Sequence, residues 1–189
     1  MKSLSLVCFL VCLIVASSRL SFKSQLKKSE SCSKSHGFGS NSFIKVYLIS
    51  DIGLALARCN GCGSAAYPNS AGVHGNIGDS FAIWKLYPGC NGAVALQADS
   101  GLYLGRCNGC WNGEAYPNSA FVHVTDPTVS YGNWLMINND DGTYSFQSDT
   151  GDYLARCNGC VTGGAKPNFA FVHATSDSVA YAKWKIQLA

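Results

Sequence analysis

Charge is scarce in this chain. Only 13% of its 189 residues are Asp, Glu, Lys or Arg, while 47% are hydrophobic and 12% aromatic, which excludes a disordered tail or a coiled coil and fits one globular domain. From residue 43 onward eight Lys and Arg face ten Asp and Glu, a net of −2. A nucleic-acid partner needs a clustered basic face to neutralise phosphates, and this body has none. Past the first residues no apolar run is long enough to cross a membrane, and no stretch repeats with a helical period. A Ser-His-Asp order, a paired-carboxylate motif and a phosphate-binding glycine loop are all missing, so neither catalysis nor a cofactor is expected.

The positive charge sits at the start. Lys2 precedes an apolar run from Leu4 to Ala16, followed by the small residues Ala16, Ser17 and Ser18. About 13 apolar residues is short of the roughly 20 that a spanning helix takes, so residues 1–18 read as a secretory signal peptide. Residues 19–42 carry Arg19, Lys23, Lys27, Lys28 and Lys34 against Glu30 alone. Rich in Ser, Lys and Gly, they read as a flexible basic leader, a solubilising segment or cleaved propeptide, or a tether to anionic surfaces. The expected destination is secreted and extracellular.

Beyond residue 43 the chain repeats itself. Arg58-Cys59-Asn60-Gly61-Cys62 recurs from Arg106 to Cys110 and from Arg156 to Cys160, with the motif spaced by 48 and 50 residues. Trp84, Trp134 and Trp184 recur at 50 and 50, and His74, His123 and His173 at 49 and 50. Three units result, near 43–91, 92–141 and 142–189. Within the second, Val94 to Ala98 and Leu102 to Arg106 alternate around an Asp99-Ser100-Gly101 turn and read as a hairpin. Two further strands follow, near Phe121-Val122-His123-Val124 and Trp134-Leu135-Met136-Ile137.

Units of four short strands cannot each bury a core alone, so the copies must share one. Three are too few for a propeller. The expected fold over residues 43–189 is therefore all-β, a β-trefoil of three four-stranded repeats, with a three-sheet β-prism as the other solution.

The run from Ala95 to Leu104, an apolar strand leading through Asp99-Ser100-Gly101 to Tyr103-Leu104, resembles the fascin-type β-trefoil signature. Phe146 to Leu154 resembles it too, whereas the first unit keeps Asp51-Ile52-Gly53 but has Ala55 in the tyrosine slot. The resemblance implies a trefoil fold. Its actin-bundling relatives are cytosolic, so no actin partner is expected behind a signal peptide. Amaranth-type agglutinins, trefoils of similar appearance, are lectins. The ricin-type signature places Gln two residues before the Trp, where this chain has Ala82, Gly132 and Ala182, so its sugar residues are not carried over.

Removing the signal peptide takes Cys8 and Cys12 and leaves an even eight cysteines. In an oxidising compartment a disulfide within each motif is expected, Cys59 with Cys62, Cys107 with Cys110 and Cys157 with Cys160, because Asn-Gly suits a tight turn. Cys32 and Cys90 remain as a link between leader and body. Zinc needs four ligands and redox chemistry a lowered thiolate pKa; both stay as alternatives that triplication suits less well. The three histidines are either a metal triad or, as favoured here, a repeated structural hydrogen bond. The arginines are expected to cover a loop and the three repeated tryptophans to be core.

Sugar recognition needs an aromatic face and amides or carboxylates for hydroxyls. Trp111, in a Gly-rich loop, is expected to be the best exposed aromatic. Tyr67 and Tyr116 come next with Asn69 and Asn118, and with Asn168 in the third unit, where Lys166 replaces the tyrosine. The functional expectation is a secreted multivalent protein binding glycans or glycoproteins. A disulfide-stabilised structural or coat protein and a trefoil-type protease inhibitor are the alternatives.

Overall fold

The computed structural model describes residues 42–189. The signal peptide, Cys32 and all of the leader but Ser42 lie outside them.

Twelve strands account for nearly all the regular structure of the described residues, and every pairing between them is antiparallel. In chain order they are β1 (Ile44–Ile49), β2 (Ala55–Asn60), β3 (Asn69–Gly75), β4 (Trp84–Pro88), β5 (Ala93–Gln97), β6 (Tyr103–Asn108), β7 (Asn118–Val124), β8 (Trp134–Asn138), β9 (Tyr144–Gln147), β10 (Tyr153–Asn158), β11 (Asn168–Ala174) and β12 (Lys185–Leu188). Short 3-10 turns at Ser80–Ala82, Ser130–Gly132 and Ala180–Ala182 precede β4, β8 and β12.

The strands divide into two sets. β1, β4, β5, β8 and β9 pair in succession, β12 pairs with β1, and Tyr144 of β9 bridges Trp184 just ahead of β12. That last bridge closes the ring, so this barrel has no free edge for another chain to extend. Trp84, Trp134 and Trp184 are fully buried. Their indole N–H groups donate to the carbonyls of Leu56 at 2.9 Å, Leu104 at 3.2 Å and Leu154 at 3.0 Å. Each tryptophan thus buries its ring and satisfies its one polar atom, as expected of core.

The second set caps the barrel. The hairpins β2–β3, β6–β7 and β10–β11 pair with one another through Ser70 with Phe121, Ser119 with Phe171 and Gly72 with Phe169. Their connecting loops interlock as well. The N–H of Ala66 donates to Cys110 O at 2.7 Å, that of Ala115 to Cys160 O at 3.0 Å, and that of Ala165 to Cys62 O at 2.8 Å.

The hairpin expected around Asp99-Ser100-Gly101 is not a ladder. β5 and β6 pair only at Gln97 with Tyr103, while β5 spends its length on β4 and β8 and β6 on β7. A turn signal marks where the chain reverses, and strand partners are chosen by packing elsewhere.

Each Cys-x-x-Cys motif closes on itself. Cys59–Cys62, Cys107–Cys110 and Cys157–Cys160 are disulfides with Cα separations of 5.7, 5.8 and 5.7 Å. Gly61, Gly109 and Gly159 supply the positive φ of 67°, 65° and 71° that the turn demands. Cys90 is disulfide-bonded too.

Candidate functional site

The three repeated histidines sit at irregularities in the cap hairpins. Pairing steps from Ala55–Gly75 to Leu56–Val73, from Tyr103–Val124 to Leu104–Val122, and from Tyr153–Ala174 to Leu154–Val172. In each case the skipped residue is the histidine, His74, His123 or His173. A β-bulge leaves its extra residue outside the ladder and re-aims its side chain, and here all three rings lie half-buried against other aromatic rings.

Two of these stacks are alike. Tyr67, from the loop between β2 and β3, lies on His123 with ring centroids 4.7 Å apart, and His123 stacks on Tyr131 at 6.0 Å and 15°. Tyr116, from the loop between β6 and β7, lies on His173 at 4.5 Å, and His173 stacks on Tyr181 at 5.6 Å and 10°. Each tyrosine belongs to one sequence unit and its histidine to the next. Tyr67 and Tyr116 are both 42% exposed, and Tyr131 and Tyr181 are exposed as well. In the third, His74 stacks on Phe81 at 5.8 Å and 14°.

Burial holds the imidazoles of His74, His123 and His173 below their ordinary pKa, so all three are neutral at pH 7. His123 Nδ1 is 3.2 Å from Phe121 O. A carbonyl can only accept, so Nδ1 carries the proton and Nε2 is left as an acceptor. Among the described residues no group of His, Cys, Asp or Glu is arranged to hold a metal ion. Each histidine belongs to a stack of its own.

The repeated arginines do more than cover a loop. Arg58 donates through Nε and Nη2 to both oxygens of Asp99 at 2.5 and 2.8 Å. Arg106 grips Asp149 at 2.6 and 2.9 Å, and Arg156 grips Asp51 at 2.7 and 2.8 Å. These bidentate clasps join each cap hairpin to the turn between a barrel strand and the next cap strand. The Arg hydrogen bonds hold the carboxyls of Asp51, Asp99 and Asp149 below their usual range.

Asn69, Asn118 and Asn168 belong to these clasps. Their Oδ1 atoms accept from Arg58, Arg106 and Arg156 Nη1 at 3.0, 3.1 and 3.0 Å, and Asn168 is buried. Each side-chain oxygen thus already accepts a bond within the fold, and that of Asn118 accepts a second from Asn108 Nδ2.

Trp111 requires a correction. It is only 5% exposed and packs in one buried cluster with the three disulfides, Val161, Phe121, Phe169 and Phe171. Its ring lies 5.2 Å from that of Phe121 and 4.8 Å from that of Phe169. The flanking glycines suggest solvent in sequence, but residues from the other two units close over it. It is a cap residue and offers a ligand no face. The signal for the stacks, Tyr131 and Tyr181 eight residues after His123 and His173 and Phe81 seven after His74, is present in the sequence but singles nothing out without the bulge.

The chain is an all-β protein on a closed barrel, and the solved structures it is similar to are of β-trefoil type. A designed 3-fold symmetric protein, ThreeFoil, superposes with a TM-score of 0.56 at 16% identity, over 75% of this chain and 96% of that one. The Rhizoctonia solani agglutinin superposes with a TM-score of 0.55 at 16% identity, over 79% and 98%. A Polyporus squamosus lectin superposes with a TM-score of 0.58 at 12% identity, over 79% of this chain and 50% of that one. At such identities the likeness concerns the fold. The sequence matches no family model and no curated protein.

Proposed function

We propose that this chain is a secreted, multivalent carbohydrate-binding protein without catalytic activity, on a β-trefoil of three four-stranded units related to the fascin-like type. The observation that carries the reading is the pair of exposed tyrosines, Tyr67 and Tyr116, each laid on a histidine of the neighbouring unit. A sugar presents an apolar face of C–H groups and a rim of hydroxyls. A tyrosine already held against another ring offers a flat apolar face with little rotamer freedom left to lose. A neutral imidazole and the phenol groups beside it supply the hydrogen-bonding partners.

Two such stacks on one rigid body favour avidity over strong single sites. Lectins among the structures of similar fold support the reading. Three disulfides suit an oxidising compartment, in keeping with the leader and with secretion. A glycan array with the purified protein tests it. Binding is expected, and it should fall sharply in the Tyr67→Ala/Tyr116→Ala double variant. Retention of no glycan would turn the choice to the structural or coat protein, and a protease panel would then test the inhibitor.

A further inference from the structure

The third stack is built differently. At the loop position of Tyr67 and Tyr116 the third unit carries Lys166, which is exposed. Its loop is anchored like the other two. Gly159 N–H donates to Pro167 O at 2.7 Å, as Gly61 does to Pro68 and Gly109 to Pro117, and Ala165 N–H donates to Cys62 O at 2.8 Å. Phe169, three residues after Lys166, pairs with Gly72, two before His74, in the register that Ser70–Phe121 and Ser119–Phe171 give Tyr67 over His123 and Tyr116 over His173, and His74 is again the bulged residue, stacked on Phe81. Burial first and the Lys166 ammonium second hold the imidazole of His74 below its ordinary pKa, so the lysine charge falls on this stack.

Among the described residues Lys166 makes no ion pair; the four there are belong to Arg58, Arg106, Arg156 and Lys183. Asp79 is the carboxylate whose charge reaches His74, but it is turned back on its own loop, where Oδ2 accepts from Asn76 N–H at 2.8 Å. An ammonium without a counter-ion beside a small aromatic platform is a recognisable combination. The platform offers a face to a sugar ring, and the ammonium offers a charge-assisted hydrogen bond to an anionic substituent.

We propose that the His74–Phe81 stack, with Lys166 at its edge, is a site for acidic sugars, glycans bearing a carboxylate or a sulfate ester. The proposal rests on the carbohydrate-binding reading above and divides its sites into two classes, neutral at Tyr67 and Tyr116 and acidic at Lys166.

The test uses the full protein on neutral, sialylated and sulfated glycans at low and high salt. Acidic glycans should bind with an affinity that falls as salt screens the exposed ammonium. Lys166→Gln should weaken their binding by about tenfold or more, the loss of one charged hydrogen bond. Lys185→Gln, an exposed lysine on β12, should leave it unchanged. A response to the sialylated arm assigns the carboxylate, and a response to the sulfated arm the sulfate ester. Equal loss in both lysine variants, or none in Lys166→Gln, would overturn the proposal. Neutral binding without acidic binding would overturn it alone, whereas binding to no glycan would overturn the carbohydrate reading with it.

Discussion

The barrel and its cap are cut from the same repeated sequence and solve opposite packing problems. In the barrel the repeated residue is kept: Trp84, Trp134 and Trp184 are identical, and each donates to a leucine carbonyl of its own unit. In the cap the equivalent residues diverge. After the second cysteine of each motif stand Gly63, Trp111 and Val161, and further on Ser70, Ser119 and Phe169, then Gly72, Phe121 and Phe171. The cap hairpins pair with one another, so these side chains compete for one space. Trp111 lies over the position of Gly63, where a Cβ would come within 2.7 Å of its ring. A side chain bonded within its own unit can repeat unchanged, while side chains that fill one cluster together must take different shares of it.

The comparison breaks most visibly at a tryptophan. Trp134→Ala is expected to cost about 3–5 kcal/mol through its cavity and lost contacts, and Trp84→Ala and Trp184→Ala should cost about the same. Urea denaturation of the three variants checks this, and a much smaller cost at any one would end the equivalence of the barrel positions. In the cap the expectation is coupling. Gly63→Val forces a side chain against the Trp111 ring and should cost about 1–3 kcal/mol. Trp111→Val leaves a hole. The double variant nearly conserves the summed volume, so it should be more stable than the sum of the single effects allows. Additive effects would mean that the two positions do not share a space.

How much of this could be read beforehand depended on distance along the chain. The disulfides were readable because Cys-Asn-Gly-Cys closes within four residues, and the core tryptophans because a large apolar residue recurs in step with the strands. The burial of Trp111 is not legible locally because Gly63 and Phe169, which lie in the other two units, help to decide it. Its share of the space shows only when Gly63, Trp111 and Val161 are set side by side. The Arg58–Asp99 clasp spans 41 residues. One arginine and one turn aspartate per unit was the available clue, but a periodic pattern does not say which copy meets which. The bulged histidines were beyond reach, since a skipped pairing is a relation between two strands and leaves no trace in either.

A smaller effect is expected from the bridges. Each disulfide closes a very short loop, so chain entropy assigns it less than the ~3 kcal/mol of a 15-residue loop. The cap loops are also held by Ala66, Ala115 and Ala165 donating to neighbouring motifs. Cys107→Ala with Cys110→Ala should therefore lower stability by about 2 kcal/mol or less and leave the fold in place by circular dichroism. A cost as large as that of Trp134→Ala would make the cap, rather than the barrel, the seat of stability.

The smallest effect lies at the seam between the two regions. Arg106 on the cap strand β6 holds Asp149 in the turn that leaves β9, and in Arg106→Gln the Asn118 carbonyl keeps a donor, Asn108 Nδ2 at 3.0 Å. A partly exposed ion pair contributes little, so about 1 kcal/mol should be lost at neutral pH. The pH profile tells a clasp from mere packing. The carboxyls of Asp51, Asp99 and Asp149 titrate lower folded than unfolded, so their contribution is complete above the unfolded value of about 3.9 and fades as pH falls through the folded one. The half-buried histidines are likewise lowered, and neutral imidazoles favour the folded state. Their contribution is complete above about pH 6.5 and declines as the pH drops from there toward the folded values. Urea midpoints should thus fall in two phases on acidification, the first from the stacks and the second from the clasps. Arg106→Gln should keep the first and shrink the second, to which the Arg58–Asp99 and Arg156–Asp51 clasps still contribute. A variant whose profile below about pH 4 runs parallel to that of the native chain would show that Arg106 holds the seam by shape and not by charge.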